Sequence, residues 1–179
     1  MTESSGPDHL YLVGMMGAGK STVGRALATR IGLPFVDVDT MVEGEAGRSI
    51  PELFAEGEEH FRRLEADVLS TVGQGPEPAV VAVGGGAVLA EANRRVLAGT
   101  GTVVWLRAAP STLRARLEGG DGRPLLARAG DVGLAVEKLV AVRAPYYADV
   151  ADLIVDVDGL GVVDVVDAVQ RRLQAIGRR

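Results

Sequence analysis

Residues 10–22 of this 179-residue chain read LYLVGMMGAGKST, and this stretch decides the fold. Four apolar residues predict a short buried strand, and Gly14 to Ser21 fit the pattern G-x-x-x-x-G-K-[ST] of a phosphate-binding loop. In such a loop the backbone wraps a phosphate and points its N–H groups inward at the start of a helix. A glycine-rich surface turn is the alternative, but the flanking strand and helix are the context that the motif requires.

The loop predicts a bound nucleoside triphosphate. Lys20 is placed to reach the β and γ phosphates, and Ser21 offers a hydroxyl group to Mg²⁺. The predicted triphosphate contacts are Gly14, Met15, Met16, Gly17, Ala18, Gly19, Lys20, Ser21 and Thr22. A phosphate loop alone does not distinguish a GTPase, an ATP-driven motor and a small-molecule kinase, so other polar residues must decide.

Short apolar runs alternate with segments of helical period along the rest of the chain, which is typical of βα units around a parallel sheet. Ser49 and Glu52 resemble a capping box, which predicts that a helix begins at Ile50. The apolar runs predict a three-layer α/β fold whose parallel sheet is covered on both faces. We predict strands at 10–13, 34–38, 80–83, 102–106 and 153–157, and helices at 20–31, 49–73, 90–98, 111–117, 134–144 and 162–176.

The length of the chain predicts one domain over residues 1–179, with residues 1–8 as a frayed tail. One segment, residues 118–133, is rich in glycine and charge and has no clear period. It is predicted to be a mobile loop that carries Arg123 and Arg128.

Composition excludes several classes of function. The formal net charge of −5 argues against a broad attraction for nucleic acid or anionic membranes. The chain has no cysteine, so disulfides and thiolate chemistry are excluded, and His9 and His60 lie outside any motif, where we expect both to be solvated. The polar amino terminus is unlike a targeting peptide, and the longest apolar stretch, 79–90, is too short for a membrane span. We predict a cytoplasmic protein without nucleic-acid or membrane partners, and we expect a monomer.

Two aspartates, Asp37 and Asp39, end the second predicted strand. Ligands of parallel α/β sheets gather outside the carboxyl ends of the strands, so both carboxylates should face the crevice of the phosphate loop. Their spacing of two residues places them on one face of an extended chain. One could serve a metal and the other could accept a proton from a substrate hydroxyl, although a strand-end turn is the alternative reading.

Glycines and arginines supply the remaining candidates. Gly84, Gly85 and Gly86 follow the third predicted strand and would let a ligand approach the backbone closely, but a flexible turn explains three glycines equally well. Arg62 lies on a predicted helix and Arg143 at a predicted helix end. Taken singly, each arginine is better explained as a solvated surface charge.

The order and spacing of seven segments closely resemble the shikimate kinases: GMMGAGKST, DVDT, GRSIPELF, GEEHFRRLE, GGGAV, RPLL and RAPYY. The resemblance covers about residues 10–157, and the combination of DVD, FRR, GGG and RPLL is its specific part. It implies a P-loop kinase fold similar to nucleoside monophosphate kinases, with a five-stranded parallel sheet and a lid at about 118–133. It also implies transfer of the γ-phosphoryl group of ATP to the 3-hydroxyl of shikimate, giving shikimate 3-phosphate on the route to chorismate and the aromatic amino acids.

The resemblance also implies roles on the phosphate side of the site. Lys20 would hold the phosphates, while Ser21 would bind the Mg²⁺ cofactor and Asp37 would contact it through water. The third strand does not end in an acidic residue that could contact the metal, so Asp37 becomes the main acidic candidate for this role. Asp39 would bind the shikimate hydroxyls and is the candidate base for the attacking one.

On the substrate side, Arg62 and Arg143 would grip the carboxylate of shikimate, and the backbone of Gly84, Gly85 and Gly86 would close the pocket. Arginine forks suit a planar carboxylate. Arg123 would reach the transferring phosphoryl group from the lid, where it would act as a catalytic residue, and Arg116 matches the position that stacks on adenine. Arg128 receives no role, and Tyr146 stands where the family often has leucine.

Three other functions compete with this interpretation. A kinase for another hydroxylated acid, such as gluconate, would keep the P-loop and an aspartate but would not need two carboxylate-directed arginines beside three glycines. An ATP-binding regulatory module without turnover predicts the loss of Asp39 or Arg123, and both are present. A nucleoside monophosphate kinase is weaker, because the arginines match shikimate kinases better than a nucleotide acceptor site.

Overall fold

The computed structural model describes residues 8–117 and 131–176. Within them, five strands form one sheet in the order β2-β3-β1-β4-β5, and every neighbouring pair is parallel. Leu10 of the central strand lies opposite Val80 on one side and Thr102 on the other. The five-stranded parallel sheet predicted from the sequence is confirmed. The strands are β1 (His9–Val13), β2 (Phe35–Asp37), β3 (Val80–Ala82), β4 (Gly101–Arg107) and β5 (Leu153–Asp156).

Eight α-helices flank the sheet in the described part of the chain. Helix α1 packs against α8, and α4 packs against α5, while all five residues of β1 are buried. The buried side chains form one continuous apolar cluster between these layers. The helices are α1 (Lys20–Ile31), α2 (Val38–Ala46), α3 (Ile50–Glu56), α4 (Glu58–Gly73), α5 (Glu91–Thr100), α6 (Pro110–Leu117), α7 (Val132–Val150) and α8 (Val162–Ala175), with a 3₁₀ turn at Ala87–Leu89.

Helix α1 is held tightly against the sheet. It begins directly after Gly19 and ends at Gly32, which adopts the left-handed conformation that favours glycine at this position. A Cβ atom at Gly24 would lie 2.5 Å from the ring of Phe35, so only glycine permits this approach of α1 to β2. The fit fixes the first turn of α1, which carries Lys20 and Ser21.

The predicted helix 49–73 is wrong as a single element. The capping box forms as predicted, with the Glu52 carboxylate accepting hydrogen bonds from the backbone N–H and hydroxyl of Ser49. The chain then breaks at Gly57, where φ is +140°, and two helices result, α3 and α4. A left-handed φ is costly for residues with a Cβ, so this glycine sets the break although the apolar period continues across it.

The predicted helix 134–144 is too short at both ends. Helix α7 starts at Val132, because the Asp131 carboxylate accepts the backbone N–H of Leu134, and it runs through Pro145 to Val150. Pro145 leaves the carbonyl of Ala141 without its helical donor, but both residues are exposed, so water can reach this side of the helix. Residues 131–133 of the predicted loop therefore belong to the helix and its cap.

The remainder of the predicted loop, 118–130, lies outside the described residues, as do positions 1–7 of the predicted tail. Arg123 and Arg128 fall in this part of the chain. Within the described ranges, none of the helices has both the length and the apolar surface needed to cross a bilayer.

The expectation of a solvated His9 is also wrong. His9 is the first residue of β1 and is 2% exposed, with its ring 5.6 Å from that of Tyr11. The strand begins one residue earlier than predicted, and this draws the imidazole into the core. His60, on α4, is partly exposed as expected.

Candidate active site

A cavity of about 630 Å³ opens at the carboxyl ends of β1, β2 and β3. The strands all run in one direction, so their following loops meet at this edge and bring distant parts of the chain together. The cavity collects most of the predicted phosphate, metal and substrate residues. Its lining includes Met16, Gly17, Gly19, Lys20, Ser21, Thr22, Asp37, Asp39, Arg62, Gly84, Gly85, Gly86 and Arg143.

The phosphate loop has the backbone shape that its glycines predict. Gly14, Gly17 and Gly19 have φ values of +142°, +82° and +94°. At Gly14 a Cβ atom would lie 2.5 Å from the carbonyl oxygen of Leu106, so the loop also needs glycine there for close packing on β4. Two predicted contact residues, Met15 and Ala18, have buried side chains and can offer only backbone groups to a ligand.

Lys20 bends back over the loop. Its Nζ atom donates hydrogen bonds to the carbonyl oxygens of Gly14 at 2.8 Å and Met15 at 2.9 Å. The ammonium group therefore lies against the loop that would hold a phosphate chain. It adds a positive charge to the lining of the cavity.

Ser21 and Asp37 form the candidate metal site. The Ser21 hydroxyl donates to Oδ2 of Asp37 at 2.6 Å, while Oδ1 of Asp37 accepts the backbone N–H groups of Asp39 and Thr40 at 3.1 and 3.4 Å. Within residues 8–117 and 131–176, no three histidine, aspartate or glutamate side chains cluster as a full protein metal cage. Mg²⁺ does not need one, since it is usually bound by one or two protein oxygens with waters and substrate phosphates. The pair fits that ion.

Asp39 reaches the cavity by a route that the sequence did not predict. The two aspartates do not share one face of an extended chain, because the strand ends at Asp37, which caps α2, and Asp39 lies in the first helical turn. Desolvation by the surrounding protein raises the pKa of Asp39, and nearby Lys20 opposes this rise. The turn places the carboxylate in the cavity lining, close to Lys20 and Asp37.

Arg62 is held by two acidic side chains and two aromatic rings. Its Nη1 donates to Oε2 of Glu65 at 2.7 Å, and its Nη2 lies 3.2 Å from Oε1 of Glu58. The guanidinium carbon is 5.7 Å from the ring centre of Phe54 and 5.1 Å from that of Phe61. These contacts hold an arginine fork rigidly at the cavity wall.

Glu65 is a site residue that sequence reasoning missed. It is 1% exposed, and its Oε1 has no hydrogen-bond partner in the described part of the chain. Burial raises its pKa, and Arg62 opposes the rise. The signal was available, because a glutamate three residues after Arg62 on a helix lies on the same face.

The three glycines form a narrow wall between these side chains. A Cβ atom at Gly84 would overlap Oε1 of Glu65 and lie 2.9 Å from Oδ1 of Asp39, and a Cβ atom at Gly86 would overlap the guanidinium of Arg62. The backbone thus approaches the charged groups of the cavity so closely that Gly84 and Gly86 leave no room for a Cβ atom. A merely flexible turn would not need glycine at these positions for lack of space.

Arg143 reaches the same wall from α7. It is 2% exposed, and its Nη1 would lie 3.5 Å from a Cβ atom at Gly85. No described residue accepts a hydrogen bond from this Nη1. One turn further along the helix, the hydroxyl of Tyr147 donates to the carbonyl oxygen of Gly85 at 2.5 Å, a contact that the motifs did not predict.

Two further predicted residues concern the nucleotide. Arg116, on α6, is exposed, and its Nη1 donates to the carbonyl oxygen of Gly17 at 3.1 Å. It therefore stands at the outer rim of the phosphate loop, where a base attached to a bound triphosphate could lie. Arg123 lies outside the described residues, so its predicted approach to the phosphates stays a prediction.

The family model, the two relatives and the solved structure that resemble this chain all carry the same description. A family model described as "Shikimate kinase" matches residues 16–174. A shikimate kinase of Symbiobacterium thermophilum is 47% identical over 96% of this chain and 99% of its own length, and one of Ruegeria pomeroyi is 47% identical over 84% and 76%. A solved shikimate kinase from Acinetobacter baumannii in complex with shikimate, at 33% identity, superposes with a TM-score of 0.91 over 98% of this chain and 97% of its own.

Proposed function

This chain belongs to the shikimate kinase family, and we propose that it transfers the γ-phosphoryl group of ATP to the 3-hydroxyl of shikimate. The product is shikimate 3-phosphate, an intermediate on the route to chorismate and the aromatic amino acids. Placement in the cytoplasm and a monomeric state stay predictions from the sequence.

One observation carries the substrate proposal: the buried, unpartnered Nη1 of Arg143. An arginine that is 2% exposed keeps its charge, and a buried N–H donor such as this Nη1 costs free energy unless an acceptor meets it. The group lies at the cavity wall beside Gly85, and Arg62 lies beside Gly86. Two arginine forks around one backbone turn suit a small planar carboxylate, such as that of shikimate.

The opposite side of the cavity supports binding of ATP. The loop from Gly14 to Gly19 leads directly into α1, where a loop of this kind turns backbone N–H groups toward a phosphate, and Lys20 adds a positive charge for the β and γ phosphates. Ser21 and Asp37 would hold Mg²⁺, which neutralises negative charge on the phosphates when bound. Arg116 would stack on adenine, and Arg123 would approach the transferring group, as the sequence predicts.

Asp39 is the proposed base. Its carboxylate lines the cavity near Asp37, Lys20 and Arg62, where it would accept a proton from a hydroxyl on a carboxylate-anchored ring. A pKa raised by desolvation makes the ionised form a stronger proton acceptor than an ordinary aspartate. Lys20 lies nearby and opposes the rise in the pKa of Asp39. Asp39 would also orient the substrate hydroxyl toward the phosphate chain.

The proposal is tested by following ADP release with Mg·ATP and four kinds of acceptor: shikimate, quinate, gluconate and the nucleoside monophosphates. We expect turnover that depends on shikimate, with much lower rates for the other acceptors. Turnover with gluconate alone, or with a nucleoside monophosphate alone, would assign the chain to one of the rival functions. Folded protein that binds ATP and phosphorylates none of them would support the regulatory alternative and overturn the proposal.

A further inference from the structure

The turn formed by Gly84, Gly85 and Gly86 is anchored through all three of its carbonyl oxygens. The backbone N–H groups of Ala87 and Leu89 donate to the oxygens of Gly84 and Gly86, both at 3.1 Å. The middle oxygen, on Gly85, accepts the hydroxyl of Tyr147 at 2.5 Å. The two outer anchors come from the chain directly after the turn, whereas the middle one comes from a side chain 62 positions away.

That middle bond sets the direction of one peptide group. A trans peptide is planar, and its C=O and N–H groups point to opposite sides. Holding the Gly85 carbonyl toward the buried Tyr147 therefore turns the Gly86 N–H away from Tyr147. Gly86 lines the cavity, so this N–H is a donor that the turn can offer to a bound anion.

Tyr147 also links the turn to Arg143. The two residues are one helical turn apart on α7, and the Tyr147 ring packs on Trp105 with ring centres 5.5 Å apart. Burial raises the pKa of Tyr147 to about 12, with the neighbouring Arg143 guanidinium opposing the rise, so the hydroxyl keeps its proton at working pH. One rigid helix thus carries an arginine fork for an anion and a permanent donor to the backbone turn beside it.

We propose that Tyr147 is a positioning residue, whose hydroxyl holds the Gly85–Gly86 peptide so that the Gly86 N–H and Arg143 meet the same substrate carboxylate. This assignment rests on the proposed function for the identity of the carboxylate. The anchoring itself is a property of the chain without substrate.

The first test compares Tyr147→Phe with Tyr146→Phe. The first variant removes only the buried hydroxyl and keeps the ring on Trp105, while the second removes the hydroxyl of an exposed neighbour whose ring lies 5.0 Å from the guanidinium carbon of Arg94. We expect Tyr147→Phe to raise the KM for shikimate about fivefold, with the KM for ATP changed less than about twofold. Tyr146→Phe should leave both constants unchanged.

A substrate analogue separates positioning from general packing. In an analogue with a hydroxymethyl group in place of the carboxylate, the anion that Gly86 and Arg143 would share is missing. We expect Tyr147→Phe to reduce kcat/KM for this analogue by less than about twofold. The proposal would be overturned by equal losses of kcat/KM for shikimate and the analogue, or by a variant that fails to fold, since either result would make the hydroxyl merely structural. Unchanged kinetics would overturn it as well, because the hydroxyl would then be dispensable.

Hydrogen exchange tests the anchor without any substrate. In ligand-free protein, Tyr147→Phe should speed amide exchange in residues 84–86 relative to β4, and Tyr146→Phe should not. If wild-type protein shows no turnover of shikimate, the proposed function fails while this measurement still decides the anchor. Unchanged exchange in residues 84–86 would overturn the inference even in an active shikimate kinase.

Discussion

Ser21 and Asp37 lie 16 positions apart in sequence, line the same cavity and are joined by a hydrogen bond of 2.6 Å. The hydroxyl comes from the first turn of α1 and the carboxylate from the last residue of β2, so the close packing of Gly24 on Phe35 fixes their distance. Asp37 also caps α2 through its second oxygen. One carboxylate therefore ties the candidate metal site to the helix that carries Asp39.

Asp37→Asn tests the metal role. The amide can still cap α2 but has lost the negative charge that attracts Mg²⁺, so we expect the Mg²⁺ concentration for half-maximal activity to rise about tenfold or more. Asp149→Asn, on the exposed end of α7, is a matched control for the loss of one charge. Magnesium titrations of activity measure the effect, and an unchanged titration would remove Asp37 from the site.

Asp39→Asn tests the base. The variant keeps the size of the side chain and removes its ability to accept a proton, so kcat should fall at least about 100-fold while ATP binding stays close to wild type. The raised pKa of Asp39 adds a pH prediction: the acid limb of the wild-type kcat/KM profile should lie above the ordinary aspartate value of 3.8. An unchanged kcat would exclude Asp39 from the chemistry.

Arg143→Ala tests the carboxylate site. Removing a buried, charged hydrogen-bond donor should raise the KM for shikimate about 100-fold and the KM for ATP only slightly. Arg63→Ala is the control, because Arg63 stands next to Arg62 but is exposed and pairs only with Glu59 among the described residues. Steady-state kinetics with each substrate varied in turn give both constants, and equal increases would contradict the assignment.

Gly84→Ala tests the narrow wall. A methyl group there would overlap Glu65 and press on Asp39, so we expect the affinity for shikimate to fall at least about tenfold. Gly44→Ala places the same methyl on an exposed part of α2, where no atom lies within 4 Å, and it should leave binding unchanged. Shikimate titrations of both variants measure the difference, and equal affinities would show that the wall tolerates a Cβ.

Much of this site could be predicted because its residues follow strands or fill a known loop pattern. Lys20 and Ser21 follow β1 and its loop, and Asp37 ends β2. Their positions therefore follow from the parallel sheet, and the local hydrophobic patterns predict that sheet. Gly57 could not be predicted as a helix break, because the apolar period runs across it. Tyr147 could not be assigned either, since its partner is set by how α7 packs against the glycine turn. Glu65 differs, because its spacing from Arg62 on one helix could have predicted their ion pair.

His9 supplies the last prediction, which concerns stability. Burial lowers the pKa of His9 below its ordinary value of 6.5, with the nearby backbone of Val72 opposing the shift, and no described residue makes a hydrogen bond to either ring nitrogen. Below pH 6.5 the unfolded chain therefore binds a proton that the folded chain resists. The contribution of His9 to the free energy of unfolding is therefore fully present above pH 6.5, and it declines as the pH falls below that value.

Urea unfolding at pH 7.5 and pH 5.5 measures this decline in the wild type and in two variants. His9→Leu removes the titrating group and fills the site with an apolar side chain, so its free energy of unfolding should fall less between the two pH values than that of the wild type. His60→Gln removes the partly exposed histidine of α4 and should retain the wild-type decline. If His9→Leu lost as much stability as the wild type on acidification, the decline would have to originate in carboxylates elsewhere in the fold.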